Sequence, residues 1–430
     1  MTNHDEICTN ATNTKTMNGY AEQPFMSDRS WIKKITIFLA SQTISLFGST
    51  AIGFAIVWYI TLETSSGIMM TIGTLCNFIP QIVISPIAGV WADRYSRKIL
   101  IILGDACIAG LTLILALFYL SGYTDMWLVF FVLAMRSLFS GIQMPAVSAI
   151  LPQLVPADKL LRINALNSTI NSAMTLLSPA VGGAILGILG FGYSLLVDTV
   201  TAALAIVILL FLTVPRLSPN TTTHTPWADL KDGLTYMGAS PFLRKLLLFY
   251  VIIFFLLTPA SFLTPLLVER SFGPEVWKLT ANEMSWSLGS VVGGVVISLW
   301  GGFKNRIFSL AVATLCFGWC FFFCGLTNQF WLYLVIVALG GFFMPLYSSA
   351  EMTLIQEKTT PEMMGRVFSL IHLCIATVMP IGMLLFGPLA DLVSVELLLI
   401  VTGLLLAILG FYILFNKKLL AFDDKPSSVE

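Results

Sequence analysis

Apolar positions in this chain neither alternate nor follow a single helix face. They come in long unbroken runs separated by short polar breaks. Hydrocarbon about 30 Å thick takes about 20 apolar residues per helix. Runs of that length stand at approximately 35–62, 67–91, 98–121, 126–150, 163–189, 192–214, 243–268, 280–301, 306–326, 330–354, 366–390 and 394–416. The pattern predicts an all-α membrane protein of twelve transmembrane helices. Several runs exceed the minimum, which implies tilt or extension beyond the bilayer. The longest connector, 215–242, is polar from Ser218 to Pro226 and then reads as a short amphipathic helix. It divides the chain into an N-terminal six-helix half, 31–214, and a C-terminal one, 243–416. Residues 1–30 are polar, rich in Asn and Thr, and hold no apolar stretch that could serve as a signal peptide. They read as a disordered tail, and 417–430 as a second tail.

Charge placement orients this pattern. With a cytoplasmic N-terminus, nineteen Lys and Arg residues fall on inside segments, among them Arg94, Arg97, Lys98, Arg162, Arg306 and Arg366. Only Arg270 and Lys278 fall outside. The excess predicts both termini in the cytoplasm. Composition agrees: of 430 residues 57% are hydrophobic and 11% charged, against roughly a quarter charged in a soluble domain. Net charge is zero, so nothing favours a nucleic-acid partner. Six of the seven cysteines lie in apolar runs and read as packing residues, not as a disulfide framework. Cys316, Cys320 and Cys324 share a helix face, but no His and carboxylate cluster lies near them in sequence. No metal is expected.

The halves echo each other. Gly141-Ile142-Gln143-Met144-Pro145 recurs as Gly341-Phe342-Phe343-Met344-Pro345. Arg162 recurs as Arg366, and Ser178-Pro179 as Met379-Pro380. Parallel repeats imply a pseudo-two-fold axis along the membrane normal, with a substrate path between the halves.

A few polar residues stand inside the spans. Arg136 falls roughly 14 Å into the fourth, where an unpaired cation costs at least about 2.5–3.5 kcal/mol. It needs a partner. Asp105 on the third span and Asp198 on the sixth are both candidates. Either carboxylate could take up a proton and Arg136 answer to its charge; the bland alternative is a structural ion pair. Asn164, Asn167, Asn171, Thr175 and Ser178 form one stripe on the fifth span, which should face a cavity or a helix. Gln42 and Glu351 are further cavity candidates.

The loop Gly89-Val90-Trp91-Ala92-Asp93-Arg94-Tyr95-Ser96-Arg97-Lys98 resembles the signature G-x-L-A-D-R-x-G-R-K/R of the major facilitator superfamily, with Trp91 for Leu and Ser96 for the second Gly. Gly89 would allow close helix approach, and Asp93 and Arg97 would pair across one turn. Ser178-Pro179-Ala180-Val181-Gly182-Gly183 is similar to the G-P-x-x-G-G element of that superfamily's exporters. The stretch from Gln356 to Asp391, with Gly365 and Arg366 in its loop, resembles the drug:proton antiporter branch that contains macrolide exporters.

The resemblance implies the major facilitator fold in a bacterial inner membrane, exporting bulky hydrophobic antibiotics by proton antiport. Arg136 would be the membrane-embedded arginine of proton coupling, and residues 89–98 a gate. Siderophores, tetracycline and peptide antibiotics are alternative cargo. The expected partners are a small-molecule drug, protons and the lipid bilayer, with the chain monomeric and free of cofactors. No phosphate loop, H-E-x-x-H or nucleophile elbow appears. A channel, or an intramembrane enzyme built on His372, Glu351 and Asp105, are the competing classes.

Overall fold

A computed structural model of the chain describes residues 30–214, 234–360 and 363–416. The expected N-terminal tail, most of the 215–242 connector and the C-terminal tail lie outside them. The described residues form long helices: α1 (Ser30–Thr64), α2 (Gly67–Arg94), α3 (Arg97–Leu120), α4 (Met126–Leu154), α5 (Leu160–Leu210), α6 (Pro241–Phe262), α7 (Thr264–Phe272), α8 (Val276–Trp300), α9 (Arg306–Leu326), α10 (Phe330–Lys358), α11 (Met364–Leu392) and α12 (Val395–Phe415). Ten of these are long and apolar enough to cross a membrane by length and composition.

Two features make the described residues consistent with twelve helical crossings. The 51-residue α5 is two arms, broken at Gly190, whose φ of 77° lies where only glycine sits without strain. Ser41 of α1 bonds the Ala205 carbonyl and Tyr59 stacks on Phe191. The second arm therefore runs antiparallel to α1, as a sixth span should. The 25-residue α8 has the length of a further crossing. The seventh span departs from expectation. It does not continue to 268 but ends at Phe262, and a separate short helix, α7, begins at Thr264. Pro265 at its start lacks the N–H that a continuing helix would need.

Short polar caps terminate the runs. Asp125 accepts from the Trp127 amide at 3.0 Å, and Asn305 from the Phe308 amide at 2.9 Å. Close packing rests on small residues, as expected where lipid gives no hydrophobic drive between helices. Gly289 and Gly293, one turn apart on α8, face the backbone of α10 so tightly that a Cβ would fall 1.9–2.0 Å from a carbonyl oxygen.

The apolar core falls into three clusters whose arrangement shapes the molecule. One holds Trp58, Met70, Leu186, Leu266, Tyr333 and Phe386, and unites the two halves at the end remote from Ser30 and Asn416. A second lies wholly in the C-terminal half. The third lies wholly in the N-terminal half and includes Phe38, Ile101 and Leu154. The halves thus share a core at the far end and keep separate cores at the end bearing the termini.

Candidate functional site

Hydrogen bonds joining the halves cluster at the same far end. Asp391 of α11 accepts from the amides of Gly67 (2.7 Å) and Ile68 (2.9 Å), from Ser66 Oγ (2.8 Å) and from Arg270 (2.9 Å). A carboxylate of one half therefore caps the α2 N-terminus of the other, where the helix dipole favours it. Arg270 also donates to the carbonyls of Ser65 and Ala390. Ser65 donates to Glu269 across the same seam.

The glycine-rich element of α5 belongs to this closure. A Cβ on Gly182 would lie 2.5 Å from the Ala51 carbonyl of α1. One on Gly183 would strike Thr280 of α8, in the other half. Pro179 is buried in the helix interior. Ser178 is fully buried with no partner for its hydroxyl, so it faces no cavity.

On the termini side of the seam lies a cavity of about 500 Å³, bounded by α1, α2, α3, α4 and α5. Gln42, Asn167, Asn171, Thr175, Gln143 and Arg136 line it. The polar stripe of α5 therefore faces a cavity through its middle members. It is shorter than the spacing suggested. Ser178 is packed away, and Asn164 lies exposed beyond the lining. Glu351 is half-buried on α10 and lines none of the cavities described here, nor does it share one with Asp105.

Arg136 finds its partner in Asp198. The guanidinium bonds both the Asp198 carboxylate and Thr112 Oγ. Asp198 also accepts from Ser49 at 3.1 Å and from Thr112 at 3.2 Å. Arg136 is 7% exposed and Asp198 fully buried, so the pair is desolvated and held by hydrogen bonds on several sides. Asp105 is not the partner. Its Oδ1 accepts from Ser45 (2.6 Å) and Gln143 (2.9 Å), while Oδ2 is buried without a partner. Ser45, Ser49, Thr112 and Gln143 complete this network. No sequence signal distinguishes such residues from ordinary helix hydroxyls and amides.

The 89–98 loop differs from expectation in two respects. Asp93 and Arg97 do not share a helix. Tyr95 and Ser96 are extended and split the segment into α2 and α3. The Asp93 side chain lies outside the described residues. Arg97 donates to the Ala92 carbonyl at the end of α2 and to the Ala149 carbonyl of α4, tying three helices together. Lys98 donates to the carbonyls of Leu210 and Leu212, at the C-terminal end of α5. Arg94 projects outward. Gly89 does not serve close packing in this conformation, because a Cβ there would meet nothing within 4 Å, and the same holds for Gly365. Arg366 is half-buried and contacts the Met363 sulfur at 3.6 Å.

The sequence reading missed Glu283. It stands on α8 and lines two further cavities, one of about 290 Å³ within the C-terminal half and one of about 320 Å³ between the halves. The signal was available: a carboxylate inside a predicted span. The charge was absorbed into the apolar run that defined the span.

The sequence matches the family model described as Major Facilitator Superfamily over residues 38–382. Macrolide efflux protein A of Streptococcus pyogenes is 29% identical over 383 residues, covering 88% of this chain and 94% of its own length. The enterobactin exporter EntS of Shigella boydii is 25% identical over 429 residues, covering 94% and 99%. Among solved structures, a bacterial homologue of the human lysosomal transporter Spinster superposes with a TM-score of 0.69 at 14% identity, covering 94% of this chain and all of its own. The chain is a multi-pass membrane protein and belongs to the major facilitator superfamily of transporters.

Proposed function

We propose that this protein exports bulky hydrophobic antibiotics, macrolides foremost, across a bacterial inner membrane by proton antiport, working as a monomer with both termini in the cytoplasm. The observation that carries the reading is the buried Arg136–Asp198 pair, whose arginine lines a polar cavity about 500 Å³ in volume. The kinship with macrolide efflux protein A, at 29% identity over most of both chains, supports the choice of cargo. The excess of Lys and Arg toward the termini end supports the orientation. On that orientation the conformation described is closed to the outside and ready to load from the cytoplasm.

The pair is suited to coupling because its members depend on each other. A proton on Asp198 would weaken the bond to Arg136 and leave a cation seeking other partners beside the cavity. Asp105 is the neighbouring proton site. Its free Oδ2 can accept a proton without giving up a hydrogen bond. Each proton crossing a potential of about 100 mV yields roughly 2.3 kcal/mol, enough for a gradient of about fiftyfold at 1.4 kcal/mol per factor of ten.

The test is expression in an efflux-deficient, drug-sensitive bacterium. The erythromycin inhibitory concentration should rise severalfold, and an uncoupler should restore drug accumulation. In everted vesicles, uptake should saturate with drug and vanish with the proton gradient. Enterobactin export with unchanged macrolide accumulation would move the cargo to the siderophore class, a reading favoured by the similarity to EntS.

A further inference from the structure

We propose that Glu283 anchors a binding site for the protonated amine of a large, mostly apolar substrate. The site lies in the cleft where the two halves meet. The inference rests on the reading of this chain as a drug exporter and names the chemical group that the exporter recognises.

The position of Glu283 is unusual in three ways. At roughly 1.5 Å per residue, it stands about 10 Å along α8 from Val276, well inside the membrane-spanning part. A carboxylate at that depth is costly and needs a purpose or a counter-ion. No basic side chain pairs with it among the described residues. Among the described residues its one hydrogen bond comes from Asn282, whose Nδ2 donates to Oε1 at 3.2 Å. Asn282 is itself held by Tyr333, whose hydroxyl donates to Asn282 Oδ1 at 2.7 Å. Tyr333 is fully buried and Asn282 nearly so. A fixed two-residue support therefore positions one carboxylate oxygen, and Oε2 is left for something else.

The surroundings say what that partner is. Glu283 and Ser261 are common to the two cavities of about 290 and 320 Å³. Together these fall in the range of drug-sized sites, roughly 300–1,000 Å³. Their walls are apolar and aromatic: Phe54, Trp58 and Phe78 come from the N-terminal half, and Phe262, Trp286 and Phe317 from the C-terminal half. Aromatic faces attract a cation, Trp most strongly. A single acceptor in an aromatic, largely desolvated cleft selects a ligand with one positive centre and a wide apolar body. An anion would meet Glu283 with repulsion, and a polar neutral molecule would lose its hydration without replacing it. Macrolides of the erythromycin type carry one such centre, the dimethylamino group of an amino sugar attached to a large lactone.

The site is also placed to respond to transport. The larger of the two cavities has walls from both halves, so any movement of one half against the other changes its shape. Arg136 lines a different cavity and is already paired. Recognition and drive are thus served by separate charged residues.

The test uses purified full-length protein in nanodiscs, wild type and Glu283→Gln, with two probes: erythromycin and the lipophilic cation tetraphenylphosphonium. Glutamine keeps the acceptor for Asn282 and the side-chain volume, and equal melting temperatures will show that the fold is kept. Wild type should bind both probes, and Glu283→Gln should bind each at least tenfold more weakly. Glu283→Asp should recover part of the loss. The N-oxide of erythromycin, which has no net charge, should bind wild type and Glu283→Gln alike. Loss of tetraphenylphosphonium binding in Glu283→Gln would uphold the site even if erythromycin proved not to be a cargo. Equal affinity of both proteins for both probes, or no binding of either probe by wild type, would overturn it. So would a variant that binds like wild type yet fails to export, since Glu283 would then serve proton movement instead of recognition.

Discussion

Helices α4 and α10 occupy matching places in the two halves, and the comparison separates what the repeat preserves from what it does not. Gly141 on α4 packs on the backbone of α2 at Gln81; Gly341 on α10 packs on the backbone of α8 at Trp286. Five residues before each glycine, the side chain faces a cavity. In α4 that residue is Arg136, and in α10 it is Ile336. On the neighbouring helices the same pairing sets Asn77 against Asn282 and Phe78 against Glu283. Both asparagines sit in polar contacts with their partner helix, Asn77 through its carbonyl to Ser137 and Asn282 to Tyr333. The repeat thus keeps the close-packing glycines, which fix helix separation, while the charges differ between the halves. The N-terminal half holds a satisfied ion pair. The C-terminal half holds a carboxylate with one hydrogen bond. Packing demands the same small residues wherever two helices approach closely, whereas a buried charge is costly and is kept only where it acts.

The strongest test of that asymmetry removes the ion pair. Arg136→Leu leaves Asp198 buried with only Ser49 and Thr112, and should cost about 3–5 kcal/mol of stability. Arg136→Leu combined with Asp198→Leu should regain most of that, because no charge is left unpaired. Melting temperatures in detergent measure both. Uphill drug export by either protein in everted vesicles should fall at least about a hundredfold. Recovery of uphill export in the double variant would reduce the pair to a lock between α4 and α5.

A smaller effect tests the shared part of the frame. A methyl at Gly341 would sit 2.1 Å from the Trp286 carbonyl oxygen, which belongs to the backbone of α8. At Gly141 the nearest atom is Ile84 Cγ2 at 2.5 Å, on a side chain that can turn. Gly341→Ala should therefore destabilise by the larger amount, about 1–3 kcal/mol, and Gly141→Ala by less. Equal costs would mean that α2 and α8 yield alike, and the two helix pairs would then be mechanically equivalent.

The fold was legible in the sequence to a large extent, for a physical reason. In a bilayer every backbone group must be satisfied within its own helix, so twenty apolar residues almost dictate a span. The runs at 163–189 and 192–214 were separated correctly because Gly190 lies between them. The run at 243–268 was drawn too long, because Pro265 sits in apolar sequence and breaks the helix without a polar signal. Arg136 stood out as a lone cation, but its choice between Asp105 and Asp198 depended on helix rotation, which depth along the membrane does not reveal. The α5 stripe could face a cavity or a helix by its spacing, and it divides: Asn167, Asn171 and Thr175 line the cavity, while the tight approach of α1 at Gly182 leaves Ser178 packed in protein. Glu283 went unread because the same apolar average that finds a span conceals a single charge within it.

The smallest expected effect concerns Gly89, and it distinguishes the conformation described from the one the transporter must also visit. In the present conformation a Cβ on Gly89 would meet nothing within 4 Å. Gly89→Ala should then be neutral or stabilising by up to about 1 kcal/mol, the difference between the two residues inside a helix. The halves share their core at the far end and keep separate cores at the termini end. A transporter that alternates access must bring the termini ends together, and α2 reaches that end with Gly89 one turn before Asp93. If α2 is approached closely there, the added methyl obstructs only the closed form. Export turnover should fall about two- to fivefold while the melting temperature holds or rises. Turnover equal to wild type, with unchanged melting, would leave Gly89 with no packing role at either stage of the cycle and would confine the 89–98 segment to the contacts that Arg97 and Lys98 already make.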